Sequence, residues 1–182
     1  MDGVDLVSAA AEFGTPLYVV SRTAIDAKIA ELKRDFTGKY PNARAAYASK
    51  AFLCVAMCRI IDEAGLSLDV VSGGELYTAI RAGFPPGRIE FHGNNKTREE
   101  LALALDCGVG RIIVDAPDEL ALIEELLAAA GASYRPKILF RVNPCVDADT
   151  HGHIMTGHAG SKFGFSADGE ELYALIGDAV RS

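Results

Sequence analysis

The chain has 182 residues, 49% hydrophobic and 24% charged, with a formal net charge of −7 at pH 7. That composition excludes a disordered or fibrous protein, and the acidic balance argues against nucleic acid as a partner. No apolar run reaches the roughly 18 residues of a membrane span, and Met1-Asp2-Gly3-Val4-Asp5 lacks a signal peptide's basic start and apolar core, so a cytoplasmic protein without membrane contact is expected.

Leu17-Tyr18-Val19-Val20, after Pro16, reads as a short strand. Ser21 or Thr23 then caps a helix whose apolar positions Ile25, Ile29, Leu32 and Phe36 recur at helical spacing. From Ala43 the chain alternates. Ala43–Ala48 is a strand ending in Ser49-Lys50, and Phe52–Glu63 a helix stopped by Gly65. Leu66–Val71 is the next strand, and Ser72 with Glu75 has capping-box spacing ahead of a helix to Ala82. Ile89–His92 is a third strand, followed by a Thr97–Glu100 capping box and a helix ending near Gly108. Arg111–Val114 is a fourth strand, with Asp115 as cap and Pro117 in the first turn of a helix to Gly131. Lys137–Val142 is a fifth strand. A loop runs from Asn143 to Phe165, and Ser166 caps a last helix to Val180.

Strands alternating with helices imply right-handed βαβ units and a parallel sheet. Polar residues close five successive strands: Lys50, Asp69, His92, Asp115, and Arg141 with Asn143. A doubly wound sheet concentrates its chemistry at one switch point. Polar ends on every strand fit the mouth of a parallel (β/α)8 TIM-type barrel better. Five units are present where a barrel needs eight, so the expected fold is an incomplete barrel, with residues 1–182 its N-terminal part.

Lys50 is the sharpest chemical candidate. It is expected at the barrel mouth on a half-buried base, where desolvation favours the free amine that attacks a carbonyl. The competing reading is a strand-end lysine reaching solvent. Cys54 and Cys58, four apart in an apolar helix, read as buried thiols on one face rather than a redox or metal pair. Cys107 falls near a helix end, and Cys145, in a loop, is the thiol to watch for reactivity. His151, His153 and His158 have a spacing that can bind zinc, but no cysteine or carboxylate joins them, so no metal is expected.

Tyr47-Ala48-Ser49-Lys50-Ala51-Phe52 resembles the cofactor-lysine motif of the pyridoxal-phosphate decarboxylases of alanine-racemase-like fold, which act on ornithine, arginine or diaminopimelate. The resemblance runs in order through Leu68–Leu76, Phe91–Lys96, Arg141–Pro144, Asp147–His151, Thr156-Gly157 and Ser161–Phe165. The His92-Gly93-Asn94-Asn95-Lys96 and Thr150–Phe165 blocks look most like the branch that acts on diaminopimelate. The resemblance implies that Lys50 holds pyridoxal 5'-phosphate covalently and that Asp69, His92 and Arg141 lie against the cofactor. Asp69 either steadies the Lys50 ammonium or caps the next helix, and Glu75 is explained equally by its capping box. Arg141 positions an acid near the cofactor ring, and His92 either faces the cofactor or is a hydrogen-bonded loop residue.

The implied reaction is decarboxylation of meso-2,6-diaminopimelate to L-lysine, with a small amino acid as substrate and a homodimer as the assembly. The 182 residues lack the family's phosphate-gripping blocks and its C-terminal β-domain, so turnover by them alone is not expected. Cys145 and Gly160 depart from the family pattern. The alternatives are a decarboxylase of the same fold for ornithine, arginine or carboxynorspermidine, or a non-catalytic module that binds the cofactor for regulation.

Overall fold

A computed structural model describes residues 1–131, 135–144, 163–167 and 170–181. The chain forms two units, Met1–Ala45 and Ala46–Ser182.

In the first unit, helix α1 (Leu6–Phe13) lies where the sequence reading has no element; the Asp5 carboxylate caps it by accepting the Val7 and Ser8 N–H groups. Helix α2 (Arg22–Leu32) starts at Ser21, whose hydroxyl accepts from the Ala24 N–H, and it runs into a π-helical turn at Lys33–Thr37. Asp2 accepts from the Ser21 hydroxyl at 2.9 Å and from the Thr23 N–H at 3.2 Å, tying the start of the chain to the start of α2. The expected strand at Leu17–Val20 does not form: these residues are exposed, and they pair with no strand among the described residues. A β-branched, aromatic run becomes a strand only when a neighbour takes its backbone groups.

The second unit holds a five-stranded parallel sheet in chain order: β1 (Ala46–Ala48), β2 (Ser67–Val70), β3 (Ile89–Phe91), β4 (Arg111–Val114) and β5 (Lys137–Phe140). Helices α3 (Val55–Glu63), α4 (Gly73–Arg81), α5 (Arg98–Cys107) and α6 (Pro117–Ala130) make the crossovers. A doubly wound sheet reverses its strand order. Here the order never reverses, so right-handed crossovers put every helix on the same face. On that face Leu68, Val70, Ile89, Phe91, Ile112 and Val114 are fully buried, and Ile61, Leu76, Leu101 and Ile123 of the helices are buried in the same core. The other face carries the alternate residues, among them Asp69, Glu90 and Arg111, level with one another in register, and the Arg111–Glu90 pair closes at 2.8 Å.

The helix punctuation follows the sequence in most places. The Thr97–Glu100 box is complete, and Gly108 and Gly131 end their helices in the left-handed region. Glu100 has a second duty: its Oε1 accepts the Gly73 N–H at 2.6 Å, so one carboxylate serves the first turns of α4 and α5. At α4 the expected box is half made. Ser72 accepts from the Glu75 N–H, but the Glu75 carboxylate takes the N–H of Val71, the residue before the cap. Cys54 sits at the N-cap position of α3 and is half-buried, so only Cys58 of that pair is a core thiol.

Beyond β5 the expectation of a plain loop is corrected at both ends. Strand β6 (Val142–Asn143) pairs in parallel with β7 (Phe165–Ser166), so a sixth strand position is occupied before helix α7 (Glu170–Arg181). Arg141 joins β5 to β6. Its N–H donates to Val114 O at 2.9 Å and its carbonyl accepts from the Phe165 N–H at 2.8 Å, so the two segments read as one bent strand between β4 and β7. Ser166 therefore belongs to a strand and does not cap the helix. Cys145, His151, His153, His158, Gly160 and Lys162 lie outside the described residues.

Candidate active site at the carboxyl edge of the sheet

Parallel strands deliver their carboxyl ends to one edge, where barrel and open-sheet enzymes alike place their chemistry. Lys50, Asp69, His92, Asp115 and Arg141 all lie at that edge, each within two residues of the end of its strand.

Lys50 sits in a single 3₁₀ turn, Ser49–Ala51, directly after β1. Its side chain is exposed and makes no hydrogen bond or ion pair among the described residues. The half-buried base expected for it is corrected: burial falls on Ser49, which is 1% exposed and whose hydroxyl has no hydrogen-bond partner among the described residues. A buried hydroxyl left unpaired beside a strand-end amine is uncommon in folded proteins.

Asp69 neither reaches Lys50 nor caps a helix. Its Oδ1 lies 2.8 Å from His92 Nδ1, and the His92 N–H donates to Val70 O at 2.8 Å, extending the β2–β3 ladder by one residue. A carboxylate only accepts, so Nδ1–H is the donor, and in the neutral ring Nε2 is left as an acceptor. The pair is half-buried, with side chains 26% and 34% exposed for Asp69 and His92.

Asp115 was expected as a helix cap. With Pro117 at the first helical position, the cap falls to Ala116, and Asp115 is one residue outside the helix. Its carboxylate is buried and makes two bonds, Oδ1 with Arg141 Nη1 at 3.0 Å and Oδ2 with the Gly164 N–H at 3.0 Å. The Arg141 guanidinium also stacks over the Phe163 ring, 4.4 Å from its centroid. The acid that Arg141 pairs with among the described residues is Asp115.

Behind this edge lies a buried ion pair that the sequence reading overlooked. Lys96 Nζ donates to Gly93 O at 2.8 Å, Ile113 O at 2.7 Å and Glu119 Oε1 at 2.6 Å. Its side chain is 1% exposed, and all three ammonium protons are used. Of the two lysines that follow strands β1 and β3, only Lys50 has an amine free to react. The signal was present in the sequence, as a lysine in a polar loop and a glutamate in the first turn of α6, but nothing in the spacing joins them.

Gly164 lies close against Arg141. It has φ +72°, and a Cβ there would stand 2.5 Å from Arg141 O and 3.1 Å from Arg141 Cγ. Gly164→Ala is expected to cost about 1–3 kcal/mol, measured as a lowered urea midpoint, because the positive φ and the backbone clash both oppose it. Shift of the loop also pulls the Gly164 N–H from Asp115.

Among the described residues no group of three or more His, Cys, Asp and Glu could hold a metal ion, and no helix is long and apolar enough to cross a membrane.

A family model described as the pyridoxal binding domain of pyridoxal-dependent decarboxylases matches residues 22–181. A diaminopimelate decarboxylase of Bacillus subtilis (strain 168) is 48% identical over 180 residues, 99% of this chain and 40% of that protein. The crystal structure of the M. jannaschii diaminopimelate decarboxylase in co-complex with L-lysine aligns with a TM-score of 0.86 at 35% identity, covering 99% of this chain and 42% of the other. A point variant of the Helicobacter pylori diaminopimelate decarboxylase complexed with L-lysine also aligns at 0.86, with 28% identity over 98% of this chain and 44% of its own. The chain therefore spans about 40% of the length of the curated relatives it matches. With the strand order, these likenesses make the fold that of a TIM-type barrel, present here in part. The chain belongs to the pyridoxal-dependent decarboxylase family, whose pyridoxal binding domain it matches from residue 22 to residue 181.

Proposed function

We propose that this chain supplies the cofactor-holding edge of a pyridoxal-phosphate-dependent diaminopimelate decarboxylase, with meso-2,6-diaminopimelate as substrate and L-lysine as product. The observation that carries the reading is the free Lys50 amine on the same edge as the His92–Asp69 and Arg141–Asp115 pairs. The printed names of the relatives at 48% identity, and the L-lysine in the aligned structures, support the choice of substrate.

The described residues fit this cofactor at its aldehyde and ring ends. Lys50 offers the amine, and the unpaired Ser49 hydroxyl beside it is a buried polar atom that awaits a partner. When bound, pyridoxal phosphate supplies a carbonyl that condenses with an amine and a ring that takes up the electron pair left at the α-carbon as carbon dioxide departs. The chain's own residues do the rest. Asp69 fixes the His92 ring through Nδ1, which leaves Nε2 as a base or hydrogen-bond acceptor at the edge. Asp115 and the Phe163 face hold the Arg141 guanidinium in one orientation, so a fixed positive charge is presented without rearrangement during reaction.

Residues 1–182 form, on this reading, the N-terminal part of the barrel domain of a cytoplasmic homodimer. The test is product identification. The protein as its gene encodes it, given pyridoxal phosphate, is offered meso-diaminopimelate, ornithine, arginine and carboxynorspermidine. Carbon dioxide with L-lysine from the first is expected. Preference for another substrate reassigns the specificity, and cofactor binding with no carbon dioxide from any of them supports a regulatory module instead.

A further inference from the structure

On the reading that pyridoxal phosphate binds at this edge, we propose that Lys96 and Glu119 are positioning residues for the site: a buried ion pair that sets the Asp115 backbone, and through the Asp115 carboxylate orients Arg141 and Gly164. The geometry forms an unbroken chain. Lys96 Nζ donates to Glu119 Oε1 at 2.6 Å, and Glu119 Oε2 accepts the Asp115 N–H at 3.2 Å. Asp115 Oδ1 accepts from Arg141 and Oδ2 from the Gly164 N–H, both at 3.0 Å. The chain crosses from the end of β3 to the ends of β4 and β5 and reaches the residue before β7. Its charges run plus, minus, minus, plus and sum to zero.

Stability alone is a weak reason for such a pair. Apolar side chains of similar volume fill a buried site as well or better, because no ion then loses its water. What an apolar pair cannot do is accept the Asp115 N–H. Helix α4 shows the same turn without the lysine: Glu75 takes the Val71 N–H at 2.8 Å while half-buried, and it pairs with no cation among the described residues. Only where the next residue outward is Asp115, which holds Arg141, is the glutamate buried and backed by an ammonium. Lys96 also spends donors on Gly93 O and Ile113 O, so the pair fixes the loop after His92 and the end of β4 as one body. Outer partners of this kind hold contacting residues in their productive geometry.

The test uses Lys96→Met/Glu119→Leu in the protein as its gene encodes it, so that both charges leave together and neither is stranded. Pyridoxal phosphate affinity is read from the absorbance of bound cofactor, and melting is followed without cofactor. Affinity about tenfold weaker or more is expected, the scale seen on losing outer-shell partners, with melting close to that of the unsubstituted protein. Arg141→Lys added to the double variant is expected to cost no more than Arg141→Lys alone, because the pair acts through that guanidinium. Unchanged affinity, or losses that multiply, overturns the proposal. A measurement on the unsubstituted protein stands beside it should the variant fail to fold. The Asp115 and Gly164 amides must be protected from hydrogen exchange before cofactor is added; exchange at the rate of exposed amides until cofactor arrives overturns the proposal. Absence of any cofactor binding by the unsubstituted protein is a different outcome, which overturns the decarboxylase reading and this inference with it.

Discussion

Lys50→Ala protein is expected to show no absorbance band of lysine-bound pyridoxal and to lose decarboxylation by about 10³- to 10⁶-fold. That is the scale of loss when a covalent nucleophile is removed. The reason lies in donor accounting at the strand ends. Lys50 is exposed after β1 and has no partner among the described residues. Lys96, after β3, has all three protons bonded inside the protein and cannot substitute. Borohydride reduction of the cofactor-loaded protein, followed by peptide mapping, is expected to place the label on Lys50. A label on Lys96, or a band that survives Lys50→Ala, sinks the assignment. The fold is expected to be untouched, since an exposed side chain with no bonds contributes little to stability.

The second large effect falls on stability and carries a pH signature. Lys96→Met strands the Glu119 carboxylate in the interior, and breaking one side of a buried pair costs about 3–5 kcal/mol. Burial pushes the Glu119 carboxyl above its usual value, and the hydrogen bond and charge of Lys96 pull it back down. Without the ammonium, burial acts with less opposition, and the folded-state pKa rises further. A carboxyl raised on folding makes the folded state the stronger proton binder. The stability it contributes is present below its unfolded value of 4.5 and is lost as pH rises through the folded value. The deficit of the variant against the unsubstituted protein is therefore expected to be largest at neutral pH and to narrow as pH falls toward 4.5. Urea unfolding of both proteins at a series of pH values checks this. A deficit that stays constant with pH shows that Glu119 is already neutral or solvated.

Most of the sheet was legible because the signals are local. β2 to β5 fall inside the expected runs, and the caps Ser21, Ser72 and Thr97 and the stops Gly108 and Gly131 act where read. Each depends on residues within one helical turn. The two strand misreadings turn on a distant partner. Leu17–Val20 has the composition of a strand but gains no neighbour in the structure described. Phe165–Ser166 is too short to be seen as a strand, and it becomes one only because Val142–Asn143 offers backbone groups in register. At Asp115 the shift is local: an aspartate two residues before a proline suits a cap, but with Pro117 first in the helix Ala116 takes that place, and Asp115 is left for Arg141.

The candidate site divides in the same way. The amino-acid sequence by itself determined which residues stand at the strand ends, since an alternating chain brings Lys50, Asp69, His92, Asp115 and Arg141 to one edge in any parallel arrangement. It also carried the motif blocks on which the family likeness rests. Which groups touch was decided only in three dimensions. Asp69 meets His92 across 23 residues, Arg141 meets Asp115 across 26, and Lys96 meets Glu119 across 23. Sequence spacing fixes neighbours along a helix or strand, whereas contact between neighbouring strands depends on sheet order and register, and those are set by how the whole sheet buries its apolar face.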